Sequence, residues 1–220
     1  MSIRRTNCAE DPLFHVDRAI TGIYSWWVAT IYPFASLGKR LVTYFPLRLS
    51  RRQAHQVSLG EHAILGKEVW LNIVGDEPGL QKIVLEDNCS LGARTIISAK
   101  NLIYIERDVI MATSVLIQDH LHAYEDVTRP ICDQGLTPGG RIRIGRGCWI
   151  GQGAAIVCND GELVIGQNSV VGANALVTRS FPANSVIIGN PGRLARQFVP
   201  SKGTWVGGEA GRAAGSETAR

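Results

Sequence analysis

An aliphatic residue recurs every sixth position along much of this chain, often with a small residue directly behind it. Ile144-Gly145, Ile150-Gly151, Ile165-Gly166 and Val171-Gly172 show the pattern, with Ile156 and Val177 in further slots. The same beat runs through Leu85, Leu91 and Ile97, then through Ile105, Met111 and Ile117. A six-residue period matches neither a helix, with about 3.6 residues per turn, nor a plain strand alternation of about 2. It fits a solenoid in which each hexamer forms one flat face and turns its aliphatic side chain inward. Three hexamers then close one triangular coil. The corners need residues that accept positive φ, a role that Gly147, Gly153, Asn168, Asn174 and the Asp87-Asn88 pair suit.

The rhythm also marks the organisation. Residues 1–56 lack the beat and read as a partly helical N-terminal cap, broken at Pro33 and Pro46. The repeat body runs over 57–199, with a loop expected from Val74 to Gln81. A longer excursion covers 119–141 and carries Asp119-His120-Leu121-His122. An unpatterned loop of that length in a compact solenoid is usually functional or disordered. A small corner loop is expected near Val157–Glu162, and Phe181–Val199 reads as leaving the coil. Residues 200–220 are rich in Gly, Ala, Ser and charge, and read as a disordered tail.

Composition narrows the function. At 220 residues the chain can bury a full core, and its net charge of +4 is scattered, which argues against a nucleic-acid partner. Five cysteines form no C-x-x-C pair and read as reduced, buried thiols, consistent with a cytoplasmic protein. The N-terminus lacks the apolar core of a signal peptide. Residues 19–38 carry no charge but are diluted by Thr, Gly, Ser and Pro. They read as an aromatic-rich segment that packs on the solenoid or a neighbouring subunit. With the bases at Lys39, Arg40, Arg48, Arg51 and Arg52, residues 19–52 could also touch the inner face of a membrane as a peripheral contact.

The repeat blocks, the Asp-His-x-His loop, Trp149-Ile150-Gly151 and Gly189-Asn190-Pro191-Gly192 resemble, in that order, the hexapeptide-repeat acyltransferases. The likeness covers roughly residues 57–196 and is greatest to bacterial sugar and polysaccharide O-acetyltransferases. It implies a mainly β fold, the left-handed parallel β-helix, assembled as a homotrimer with active sites between subunits. It also implies acetyl-CoA as acyl donor and a carbohydrate hydroxyl as acceptor, in polysaccharide, lipopolysaccharide or glycoconjugate biosynthesis.

The resemblance assigns residues as well. A general base near neutral pKa is needed, and histidine suits it. The family pattern places the base at His122, with His120 second. Asp119, Glu125 or Asp126 could orient the imidazole, Asp119 and Gln134 are candidates for the acceptor site, and the amides of Gly151 or Ala154 are candidate oxyanion donors. Trp149 resembles the aromatic beside the pantetheine arm, or serves a subunit interface. Gly151, Ala154, Gly172 and Ala173 are expected to let pantetheine approach the backbone. Thr178 and Arg179 correspond to a pair near the nucleotide, Pro191 to a turn near the adenine, and Arg179, Arg193 and Arg196 could meet phosphates. Gly92-Ala93-Arg94-Thr95 stands where small-sugar enzymes carry an acceptor-binding Asn, which disfavours a simple galactoside or maltose acceptor. Alternatives are N-acetylation of an amino sugar or xenobiotic, or a metal-binding solenoid resembling γ-class carbonic anhydrases. The latter requires three clustered histidines. His15, His55 and His62 lie far from the loop pair in sequence, so no metal is expected.

Overall fold

The computed structural model describes residues 12–208 except Pro78, with side chains from His15 onward. One helix, Pro12–Ile31, precedes a parallel β-solenoid with three sheet faces. The first sheet has six strands, from Ser36–Leu37 to Glu162–Ile165; the third has five, from Trp70–Ile73 to Leu176–Val177. The second has nine, because two antiparallel strands, Arg193–Val199 and Thr204–Gly207, extend it past the last coil.

The hexad residues stack in register down each face. Leu59, Leu85, Ile105, Ile144 and Ile165 form the inner ladder of the first sheet. Leu71, Ile97, Ile117, Ile156 and Val177 form that of the third. All ten are at most 2% exposed. Shortening any of these Leu or Ile residues to Ala would cost about 2–5 kcal/mol.

Corner geometry explains the small residue behind each aliphatic. A Cβ placed on Gly92 would lie 2.3 Å from the Ala112 carbonyl oxygen, and one on Gly151 would lie 2.6 Å from the Ala173 nitrogen. Successive coils approach too closely there for any side chain. Two residues after the corner glycine the chain turns through positive φ at Gly147, Gly153, Asn168 and Asn174, and Asn88 does the same two residues after Glu86, all as expected. Each such turn also bonds the coil before it, as in Asn168 N–H to Arg146 O at 2.8 Å.

The structure moves several boundaries. Ser36–Leu37 pairs with Ser58–Leu59, and Val42–Thr43 with Ile64–Leu65, so the first coil lies inside the segment read as a cap. The helix docks on that coil through buried Val28 and through Ser25 Oγ, which accepts from Thr43 N–H at 2.9 Å. Ser185–Ile188 still pairs in parallel with Val170–Val171, so the coil continues beyond Phe181. Thr204–Gly207 is a strand where a disordered tail was expected; residues 209–220 lie outside the described residues. Cys89, Cys148 and Cys158 are buried, and burial pushes the Cys89 and Cys148 thiols up to about 11. Cys132 is exposed, contrary to expectation, and Cys8 lies outside the described residues.

Two glycine substitutions separate stacking from propensity. Gly92→Ala should destabilise by about 1–3 kcal/mol through overpacking. Gly22, in the helix with nothing within 4 Å of an added Cβ, should become more stable as Ala by up to about 1 kcal/mol. Urea unfolding of both variants checks the pair.

Candidate active site

The histidine loop leaves the solenoid at the corner between the third and first sheets, after Leu116–Gln118, and returns at Arg141. Asp119 sits at its root, fully buried. Its Oδ1 accepts from Lys100 N–H at 2.7 Å, and its Oδ2 from Asn101 N–H at 2.8 Å and Leu102 N–H at 3.0 Å. A buried carboxylate is costly unless its lone pairs are used, and here the preceding coil supplies three donors. Asp119 Oδ1 also lies 2.9 Å from Nδ1 of His120, which is 5% exposed. An ionised carboxylate only accepts, so the Nδ1 proton belongs to this bond and Nε2 is left as the basic atom. Gln118 Nε2 donates to the His120 carbonyl at 2.6 Å and fixes the backbone as well.

His122 is placed differently. Its main chain bridges to Leu136, but its side chain is exposed and has no hydrogen bond or ion pair among the described residues. Two acceptor-site expectations also change. Asp119 is enclosed, and both of its carboxylate oxygens are already occupied by main-chain amides and the His120 ring, which leaves them no room to meet an acceptor in this arrangement. Gln134 staples the loop: its Oε1 accepts from Asp126 N–H at 3.0 Å, and its Nε2 donates to the carbonyls of Asp126 at 2.8 Å and Arg129 at 3.0 Å. Glu125 is exposed, and Asp126 is held by Thr128, whose hydroxyl and amide hold its carboxyl below the ordinary value.

The residues expected to hold the cofactor lie at another corner, between the second and third sheets. Gly151 and Ala154 are buried there, with Gly172 and Ala173 on the next coil. The turn Gly189–Gly192, with exposed Pro191, continues this column through Gly192 N–H to Leu176 O at 2.6 Å. Trp149 projects from the second sheet between Ile110 and Val170 and is 54% exposed. Thr178 and Arg179 are exposed one face further on, where the Arg179 guanidinium sits 5.1 Å from the Phe181 ring centroid. Arg193 and Arg196 lie on the antiparallel extension. Within one chain, then, His120 and the small-residue column occupy different corners.

The amides expected to act as oxyanion donors are already engaged, Gly151 N–H with Val171 O at 2.7 Å and Ala154 N–H with Gly151 O at 3.2 Å. In the Trp149–Ala154 turn, Trp149 and Gly153 also donate to main-chain carbonyls, whereas the exposed Gln152 amide does not. Ala173 is its equivalent one coil on, also exposed and also without such a bond. The six-residue beat carries this signal, since the residue after each glycine at these corners faces outward. Among the described residues no group of three His, Cys, Asp or Glu could hold a metal ion.

The profile described as the hexapeptide repeat of succinyl-transferase matches residues 141–179 and 162–190. WbbJ of Escherichia coli K12, whose given name proposes an O-acetyl transferase of lipopolysaccharide biosynthesis, is 27% identical over 160 residues, covering 70% of this chain and 78% of its own. A serine acetyltransferase of Mycobacterium tuberculosis is 31% identical over 109 residues, 49% of this chain and 45% of its own. A point mutant of AntD, an N-acyltransferase from Bacillus cereus crystallised with dTDP and coenzyme A, superposes with a TM-score of 0.63 at 17% identity. That match covers 77% of this chain and 86% of that one, and shows a shared fold.

Replacing Gln134 by Ala should loosen the loop while leaving the solenoid intact. Limited proteolysis should cut within 123–136 several-fold faster, with the thermal midpoint within about 3 °C of the parent.

Proposed function

We propose that this member of the hexapeptide-repeat acyltransferases transfers an acetyl group from acetyl-CoA to a sugar hydroxyl. The acceptor belongs to a polysaccharide, lipopolysaccharide or similar glycoconjugate under construction. The observation that carries the reading is the buried Asp119–His120 pair, a tautomer-fixed imidazole at the root of a loop. The geometry favours His120 over His122 as base. An imidazole held at one nitrogen by a carboxylate presents the other in a defined direction, whereas an unrestrained exposed one does not.

In the reaction, His120 Nε2 takes the acceptor hydroxyl proton as the oxygen attacks the thioester carbonyl. Negative charge develops on the carbonyl oxygen, and the Gln152 amide is the donor we assign to it. The tetrahedral intermediate then collapses, the C–S bond breaks, and the imidazolium returns its proton to the departing sulfur. The acetyl ester and free CoA are the products. Since His120 and the Gly151–Ala173 column lie at different corners, a second copy must supply the column to the first copy's histidine. A closed ring of three, each chain donating a histidine loop to its neighbour, satisfies this for every chain. Trp149 in the adjoining face, and Thr178, Arg179, Pro191 and Arg196 toward the nucleotide end, are assigned to CoA.

His120→Ala should lower kcat by about 10²–10⁴-fold, the range for loss of a general base, while His122→Ala retains most of the activity. Release of free CoA from acetyl-CoA in the presence of candidate glycans measures both. The opposite ranking would move the base to His122, and two fully active variants would remove histidine from the mechanism.

The helix supports a peripheral membrane contact. Val16, Ile20, Ile23, Trp27 and Ile31 form one exposed stripe at helical spacing, 37–68% accessible, beside Trp26 and Phe45 at 68% and 67%. Lys39, Arg40, Arg48, Arg51 and Arg52 follow, all at least partly exposed. No helix among the described residues is long and apolar enough to cross a membrane, so the contact would lie in the interfacial plane. Vesicles containing phosphatidylglycerol should co-sediment the protein, neutral phosphatidylcholine vesicles much less, and Ile20→Glu with Ile23→Glu should abolish the effect. Equal recovery with all three samples would remove the membrane from the account.

A further inference from the structure

A second loop stands beside the histidine loop on the same corner. Nine residues, 74–82, link the third and first sheets, where the following coil uses only Lys100 and Asn101. The inserted loop, Lys100–Asn101, the returning end of the histidine loop and Gly161 enclose a groove of about 480 Å³. Three cations line it. Lys82 is 2% exposed, Lys100 is half-buried with its ammonium donating to the Thr137 carbonyl, and Arg141 is exposed. Among the described residues, Arg141 has no side-chain hydrogen bond or ion pair. Among the described residues, the sole anion lining the groove is Glu77, which pairs with Lys82.

That pairing is unequal. The Lys82 ammonium is enclosed and bound to the loop itself through the Val74 carbonyl, while the Glu77 side chain is 54% exposed. Gly75 and Gly79, both at positive φ, flank Glu77. The Lys82 hydrogen bond holds the Glu77 carboxyl below its ordinary value, so the loop delivers a carboxylate into a cationic groove. The groove is also joined to the catalytic pair. The Lys100 and Asn101 amides bind the Asp119 carboxylate, and Gly140 donates to the Asp119 carbonyl at 2.7 Å. A Cβ on Gly139 would stand 3.4 Å from the His120 Cβ.

We infer that this groove binds an anionic group of the acceptor, with Lys82, Lys100 and Arg141 as its cationic wall and Glu77 as a stand-in carboxylate that the ligand displaces. The inference rests on the acceptor being a saccharide and adds that it is an acidic one, bearing a carboxylate or a phosphate. An oxyanion entering here replaces one charge-assisted contact on Lys82 and gains a guanidinium that has no internal partner. A neutral sugar gains neither. The groove therefore selects by charge, next to the backbone that holds the base.

Equilibrium binding of glucose 1-phosphate, glucuronate and glucose by calorimetry, without acetyl-CoA, tests this apart from catalysis. At least one anion should bind about tenfold more tightly than glucose, and weaken with added salt; which one binds identifies phosphate or carboxylate as the group. Glu77→Gln should tighten anion binding several-fold by removing the competitor, and Arg141→Gln should weaken it about tenfold. Both side chains are exposed, and Gln at 77 keeps an amide oxygen that can accept from the enclosed Lys82 ammonium; thermal midpoints of both variants, measured alongside, confirm that each is folded before its binding is compared. If neither anion outbinds glucose, or if both variants bind as the parent does, the inference fails. CoA release from acetyl-CoA with acidic and with neutral oligosaccharides, measured in parallel, reports the acetyl transfer itself. Turnover of either class without anion-selective binding means that the groove reading alone fails, and no turnover with any of them means that the reaction reading fails.

Discussion

Everything in this molecule is set by how closely one coil lies on the next at the corners. At Gly38, Gly60, Gly66, Gly92, Gly145, Gly151 and Gly166 an added Cβ would fall 2.2–2.6 Å from main-chain atoms of the following coil. That distance is shorter than any side chain allows, so the corner must be a backbone-to-backbone contact. Main-chain hydrogen bonds then run unbroken from coil to coil, such as Gly92 N–H to Met111 O at 3.0 Å. With corners pinned, the inward residues have a fixed, narrow space, which is why they are aliphatic and nearly inaccessible. The hexad beat is the sequence shadow of that packing.

A wall this tightly stacked has few places for irregular chain, and they are not scattered. Segments 74–82, 119–140 and 158–161 all leave between a third-sheet strand and the next first-sheet strand. The other corners stay short and close. The edge that tolerates insertion therefore gathers the buried aspartate, the histidine and the cationic groove, while the tight corner presents a regular column of small residues and outward amides. Irregular chain and the Asp119–His120 pair share one edge; the regular small-residue column, to which the proposal assigns CoA, occupies another.

The parts of the fold legible in the sequence were those that the stacking dictates residue by residue. Ile105, Met111 and Ile117 announce their coil because each must face inward, and Asn168 and Asn174 announce corners because φ there is positive. The first coil is unmarked in the sequence because Ser36, Val42 and Arg48 carry its pairing without an Ile-Gly or Leu-Gly beat beyond Leu37-Gly38. The strand Thr204–Gly207 is unmarked because antiparallel pairing at an end needs no period. The site was legible as a loop and a pair of histidines; the family pattern puts His122 first, whereas the proposed reaction puts His120 first. What distinguishes His120 is a carboxylate held by the amides of residues 100–102, seventeen to nineteen positions away on another coil. No local pattern encodes that contact.

A backbone solenoid is an apt support for acyl transfer. Two elements must be held still: a base whose free nitrogen points at the acceptor, and a donor aimed at the developing oxyanion. In the proposed reaction the base, His120, is held by Asp119, whose carboxylate is itself held by main-chain amides of the coil before it. The Gln152 amide is fixed by its neighbours Gly151 and Gly153, each bonded to an adjacent coil at 2.7 Å and 3.1 Å. Neither element depends on a long side chain finding its rotamer. Both take their coordinates from the stacking that also holds the fold together, so the interaction that stabilises the wall is the one that aims the chemistry.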